Sequence, residues 1–64
     1  MPIVRVEMFE GRDRETKQKL VKSLTAEMAR VTGCSEASVH VVITDVSKED
    51  WGIGGELAAT KFPD

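Results

Sequence analysis

The chain has almost none of the groups that hold small proteins together. Its one cysteine, Cys34, cannot form a disulfide within the chain. One histidine, His40, beside one cysteine leaves no Cys/His set for a structural zinc ion. No apolar run approaches the ~20 residues that a membrane-spanning helix needs. There is no basic-then-apolar leader and no sorting tail. Charge of neither sign dominates: 9 basic residues stand against 11 acidic ones, a net charge of −2. That balance argues against nucleic acid and anionic membrane as partners. A lone free cysteine fits a reducing compartment, so a soluble cytoplasmic protein is expected.

Sixty-four residues make one domain at most, spanning 1–64. A core of this size supplies only roughly 3–5 kcal/mol, and small scaffolds are usually stapled by disulfides, a metal or other subunits. With the first two excluded, oligomerisation is the staple left.

What is present is ordered by hydrophobic period. Residues 2–9, PIVRVEMF, are rich in β-formers and partly alternate, which predicts a strand. EGR at 10–12 reads as a turn. Asp13 can cap a helix over 14–32, where Leu20, Val21, Leu24, Met28 and Val31 share one stripe and Lys17, Lys22 and Glu27 fall largely off it. Gly33 is a natural stop. SEAS reads as a short link. SVHVVITDV reads as a second strand, with Val39, Val41 and Ile43 on one face and Ser38, His40, Val42 and Thr44 on the other. The glycine-rich tail predicts a turn and a short hairpin-like segment.

The expected fold is therefore α/β: a single β-α-β unit with parallel strands and a right-handed crossover, plus a short C-terminal hairpin segment. Two strands are not a stable sheet. A parallel sheet needs both faces covered, and one helix covers one face. Identical chains completing the sheet resolve both problems, so an obligate homo-oligomer is expected.

Four stretches carry a resemblance: PIV at 2–4, EGR at 10–12, VHVVIT at 39–44 and WGIGGELA at 51–58. Together they resemble the 4-oxalocrotonate tautomerase family of the tautomerase superfamily, over nearly the whole chain. The resemblance implies a homohexamer built as a trimer of dimers and an isomerase that needs no cofactor and no metal. It implies proton transfer between enol and ketone on 2-hydroxydienoates or other α-keto acids, by an amino-terminal proline, with a small carboxylate as substrate and a role in aromatic degradation.

Residue by residue, each functional reading has a plain alternative. Pro2 is either a strand-starting residue, where a missing N–H costs nothing, or the catalytic acid–base. Removing Met1 turns its ring nitrogen from an amide into an amine. A terminal amine titrates near ~8, and burial or a nearby cation lowers that toward the useful range. Arg12 is either solvated or the family's carboxylate-binding arginine, reaching into the pocket of another subunit. A cation just before a helix N-terminus is unfavourable, and a bound carboxylate resolves the conflict. Arg14 reads as solvated.

His40 stands where studied family members carry a second arginine, so it is either a strand histidine or a weaker donor to substrate oxygens. Imidazole titrates near ~6.5, so its charge is not permanent. Trp51 replaces the usual phenylalanine, either as a pocket wall or in an interface. Gly52, Gly54 and Gly55 lack the spacing of a phosphate loop and read as a turn. Cys34 reads as structural, with nothing nearby to lower its pKa. The competing functions are a non-catalytic or catalytically drifted oligomeric paralogue, and a superfamily dehalogenase or decarboxylase. No carboxylate assignable to water activation is evident, which ranks dehalogenation lower.

Overall fold

The computed structural model describes residues 1–63. Strand β1 spans Ile3–Phe9, helix α1 Arg14–Thr32 and strand β2 His40–Val46. Two-residue strands β3 (Gly52–Ile53) and β4 (Glu56–Leu57) follow, and a single-turn helix α2 covers Ala58–Lys61. The β-α-β unit and the terminal hairpin are as the sequence predicts. The link at SEAS is tighter than expected, since Glu36–Ser38 wind into a 3-10 turn. A second such turn at Lys48–Asp50, and α2 itself, are additions.

The bounds of α1 follow from local chemistry. Asp13 caps it, its side chain accepting from the Thr16 N–H at 2.9 Å. That backbone hydrogen bond, with a smaller contribution from the Thr16 side chain, holds the Asp13 carboxyl below the usual carboxylate value. The folded-state value is the lower one, so the charged cap's contribution is present above the carboxylate range. It is lost as pH falls through the lowered value. At the other end Gly33 takes a left-handed φ of 79° and donates its N–H to the Ala29 carbonyl at 2.9 Å.

The strands β1 and β2 are parallel, with Ile3 opposite His40, Val4 opposite Val41 and Phe9 opposite Val46. Val4, Val6, Met8, Val41 and Ile43 face α1 and are half-buried. Ile3, Arg5, Glu7, His40, Val42 and Thr44 form the opposite face, which nothing in the chain covers. The hairpin β3–β4 pairs Gly52 with Leu57 and Ile53 with Glu56, leaving Gly54–Gly55 as a two-residue loop. Their φ values of 60° and 88° are both positive, as a type I′ turn demands.

The interior is thin. Among the described residues only the small Ala58 is fully buried, while Ile3, Val31, Val42 and Leu57 are exposed. Val31, on the predicted stripe, is 65% exposed, so the stripe outruns the sheet it would cover. The radius of gyration is 14.7 Å, against about 11 Å for a compact chain of this length. The chain is a slab of 42 × 25 × 13 Å. It exposes 4940 Å², where a compact monomer of this mass exposes about 4100 Å². The excess matches the ~800 Å² that each partner gives to a standard interface. No helix among the described residues is long and apolar enough to cross a membrane.

Candidate active site

The two ends of the parallel pair carry different chemistry. At the N-terminal end, the His40 N–H donates to the Pro2 carbonyl at 3.0 Å. That bond continues the ladder one residue before β1 begins and fixes Pro2 against the start of β2. Pro2 is half-buried and His40 is exposed. Their neighbours on the uncovered face are apolar: Ile3, opposite His40, is 54% exposed and Val42 is 43% exposed. Met1 stands free of the sheet at 86% exposure. While Met1 is attached, the Pro2 nitrogen is an amide without a basic lone pair. Arg5 shares this face and belongs to no ion pair among the described residues. It lies outside every matched motif, although period-two counting from Ile3 places it on this face, where it stands opposite Val42.

Arg12 and Trp51 lie at the other end. Arg12 is exposed in the turn between β1 and α1, where Gly11 takes a φ of 119°. Trp51 packs edge-on against Phe9, with ring centroids 4.5 Å apart and an interplanar angle of 63°. Phe62 closes the cluster at 6.4 Å from Phe9, and the Lys48 ammonium lies 5.6 Å from the Phe9 ring centroid. The Trp51 carbonyl accepts the Ala58 N–H at 2.7 Å, tying the residue before β3 to α2. Seven strand residues at about 3.3 Å each separate the two ends by roughly 20 Å, which is beyond the reach of an arginine side chain. One chain therefore brings Pro2 and His40 together and keeps Arg12 and Trp51 apart from them.

An open apolar groove of about 250 Å³ lies on the helix side, lined by Val4, Leu24, Glu27, Met28 and Val31. Among the described residues no cluster of His, Cys, Asp and Glu is arranged to hold a metal ion. Cys34 departs from expectation. The Thr32 hydroxyl donates to its sulfur at 3.1 Å and, with Ser38, holds the thiol below its ordinary value. Lys17, expected off the packed face, is instead half-buried and paired with Asp45.

Residues 2–61 match the family described as Tautomerase enzyme. A 2-hydroxymuconate tautomerase from Pseudomonas putida is 39% identical over 59 residues, which cover 92% of this chain and 94% of that protein. A probable tautomerase from Streptococcus pneumoniae is 40% identical over 57 residues, 89% of this chain and 95% of that one. Among solved structures, a 4-oxalocrotonate tautomerase isozyme from Methylibium petroleiphilum superposes with a TM-score of 0.91 at 36% identity, covering 95% of this chain and 98% of its own. A heterohexamer 4-oxalocrotonate tautomerase from Chloroflexus aurantiacus superposes at 0.88 with 34% identity, covering 92% and 95%. The whole β-α-β unit and the glycine hairpin fall within the family match, and the chain belongs to the tautomerase family of isomerases.

Proposed function

We propose that this chain is a cofactor-free tautomerase of small enol carboxylates, with Pro2 as acid–base after removal of Met1. The observation that carries this reading is the place of Pro2, pinned at the sheet end beside His40 and flanked by uncovered apolar residues. Covering Ile3 and Val42 with another subunit would desolvate the secondary amine and favour its neutral, proton-accepting form. The neutral amine takes the proton from the enol hydroxyl or an adjacent carbon and returns it to the conjugated carbon. Arg12 holds the substrate carboxylate through two parallel hydrogen bonds, His40 donates to a substrate oxygen and Trp51 walls the pocket.

Because Arg12 cannot reach Pro2 within a chain, the site is composite: one subunit supplies Pro2 and another supplies Arg12. This agrees with the uncovered slab, whose excess surface fits a homo-oligomer. The heterohexamer among the relatives supports a hexamer, and the family resemblance implies that it is built as a trimer of dimers. A cytoplasmic location and a role in aromatic degradation go with the same reading.

The test is ketonisation of phenylenolpyruvate and of 2-hydroxymuconate, followed by absorbance, with protein whose N-terminus is verified by mass. Turnover by chains that begin at Pro2, and none by chains that retain Met1, is expected. Equal turnover by both forms would remove Pro2 from the chemistry. In the same assay His40→Arg is expected to shift preference toward 2-hydroxymuconate, the dicarboxylate, by about tenfold, the worth of one charge-assisted hydrogen bond. If His40→Arg and His40→Ala both match wild type on both substrates, His40 is a strand residue only.

A further inference from the structure

Asp45 breaks the pattern of its strand. Counting by two along β2, Val41 and Ile43 face α1, and the next position on that face is Asp45, opposite Met8. Lys17 pairs with this helix-facing carboxylate: Nζ lies 2.5 Å from Asp45 Oδ2. The pair joins residues 28 apart in sequence and is about two-thirds shielded from solvent on each side. Among the described residues it is the one ion pair that links two elements, since the other, Glu27–Arg30, lies within α1.

Its position in the fold gives it a consequence. Lys17 belongs to the first turn of α1, where its N–H donates to the Asp13 carbonyl at 3.1 Å. Asp13 caps that turn through Thr16. Arg12 is the residue immediately before the cap. A continuous path therefore runs from β2 through Asp45, Lys17 and Asp13 to Arg12. The turn that carries Arg12 has one further tie to β2, from the Glu10 N–H to the Val46 carbonyl at 3.0 Å. Arg12 itself makes no hydrogen bond within the chain among the described residues. An arginine that must meet a carboxylate in another subunit's pocket loses binding if its backbone wanders, because bidentate geometry is demanding.

We propose that the Lys17–Asp45 ion pair is a positioning device for Arg12, holding the first turn of α1 on the sheet so that the guanidinium is presented outward to substrate. The proposal rests on the reading of Arg12 as the carboxylate-binding residue. Lys17 and Asp45 touch no substrate and act through the backbone of the turn.

The test measures KM and kcat for phenylenolpyruvate with full chains of verified N-terminus. Lys17→Met keeps the aliphatic stem without the charge, and Asp45→Asn keeps the shape without the charge. Each is expected to raise KM about fivefold, the upper range for a partly exposed pair, while kcat changes by less than about twofold. Lys17→Arg restores the charge and is expected to restore KM. In an Arg12→Ala background Lys17→Met is expected to add nothing. Wild-type KM in both Lys17→Met and Asp45→Asn would overturn the proposal, as would a full KM rise that persists without Arg12. If Lys17→Met fails to assemble, Asp45→Asn carries the same expectation. Arg12→Ala alone separates the two readings. If it leaves KM unchanged, the carboxylate role of Arg12 fails and the positioning role falls with it. If it raises KM while the pair variants do not, the positioning role alone fails.

Discussion

Replacing Pro2 by alanine is expected to lower kcat/KM for tautomerisation by at least ~10²-fold, the lower range for removing a positioned acid–base group. The assembly is expected to survive, because Pro2 contributes its carbonyl to the His40 N–H and alanine supplies the same carbonyl. A residual rate is expected, since methionine removal exposes a terminal amine on alanine too. What alanine lacks is the ring that fixes the nitrogen relative to the sheet and makes it secondary. Rates are to be compared at equal oligomer mass, with the N-terminus of both proteins confirmed. Matching rates would return Pro2 to the role of a strand starter.

The second large effect is expected at Arg12. Hydrogen bonds to charged groups contribute about 1.5–3 kcal/mol, so Arg12→Ala is expected to raise KM for a carboxylate substrate by about 10- to 100-fold. The carboxylate is bound in both ground and transition state, so kcat is expected to fall much less. Arg12→Lys should recover only part of the loss, because an ammonium cannot form the two parallel bonds of a guanidinium. A kcat that falls while KM stays constant would mean that Arg12 acts on the reacting atoms instead.

The helix was legible residue for residue because three local signals agree on it: the Asp13 cap, the apolar stripe from Leu20 to Met28, and Gly33 at the stop. The hairpin was legible because Gly54 and Gly55 occupy positions that need positive φ. The register was not, since local sequence does not say that Ile3 meets His40; that follows from how α1 returns the chain to the sheet. Nor was α2, whose single turn is too short for any periodicity and is held by backbone hydrogen bonds from the Ala58 N–H to the Trp51 carbonyl and from the Phe62 N–H to the Ala58 carbonyl. Lys17 was misplaced because the stripe is counted from apolar side chains, and a half-buried ammonium paired with a carboxylate leaves no trace in that count. The candidates Pro2, Arg12, His40 and Trp51 were proposed from motifs, while Arg5 belongs to no motif. The separation of these residues into two ends is a property of strand length, visible only once the fold is drawn.

The central claim is that Pro2 and Arg12 of one working site come from different chains, and subunit mixing tests it most directly. The Pro2→Ala and Arg12→Ala proteins, each nearly inactive alone, are unfolded together in equal amounts and refolded. In a composite site about a quarter of the pockets then receive an intact Pro2 from one chain and an intact Arg12 from another. Activity is expected to rise to about that share of the wild-type rate at low substrate. If the mixture refolds into oligomers of the same mass and its activity stays at the sum of the two variants, Pro2 and Arg12 of each site lie on one chain, and the composite site is wrong.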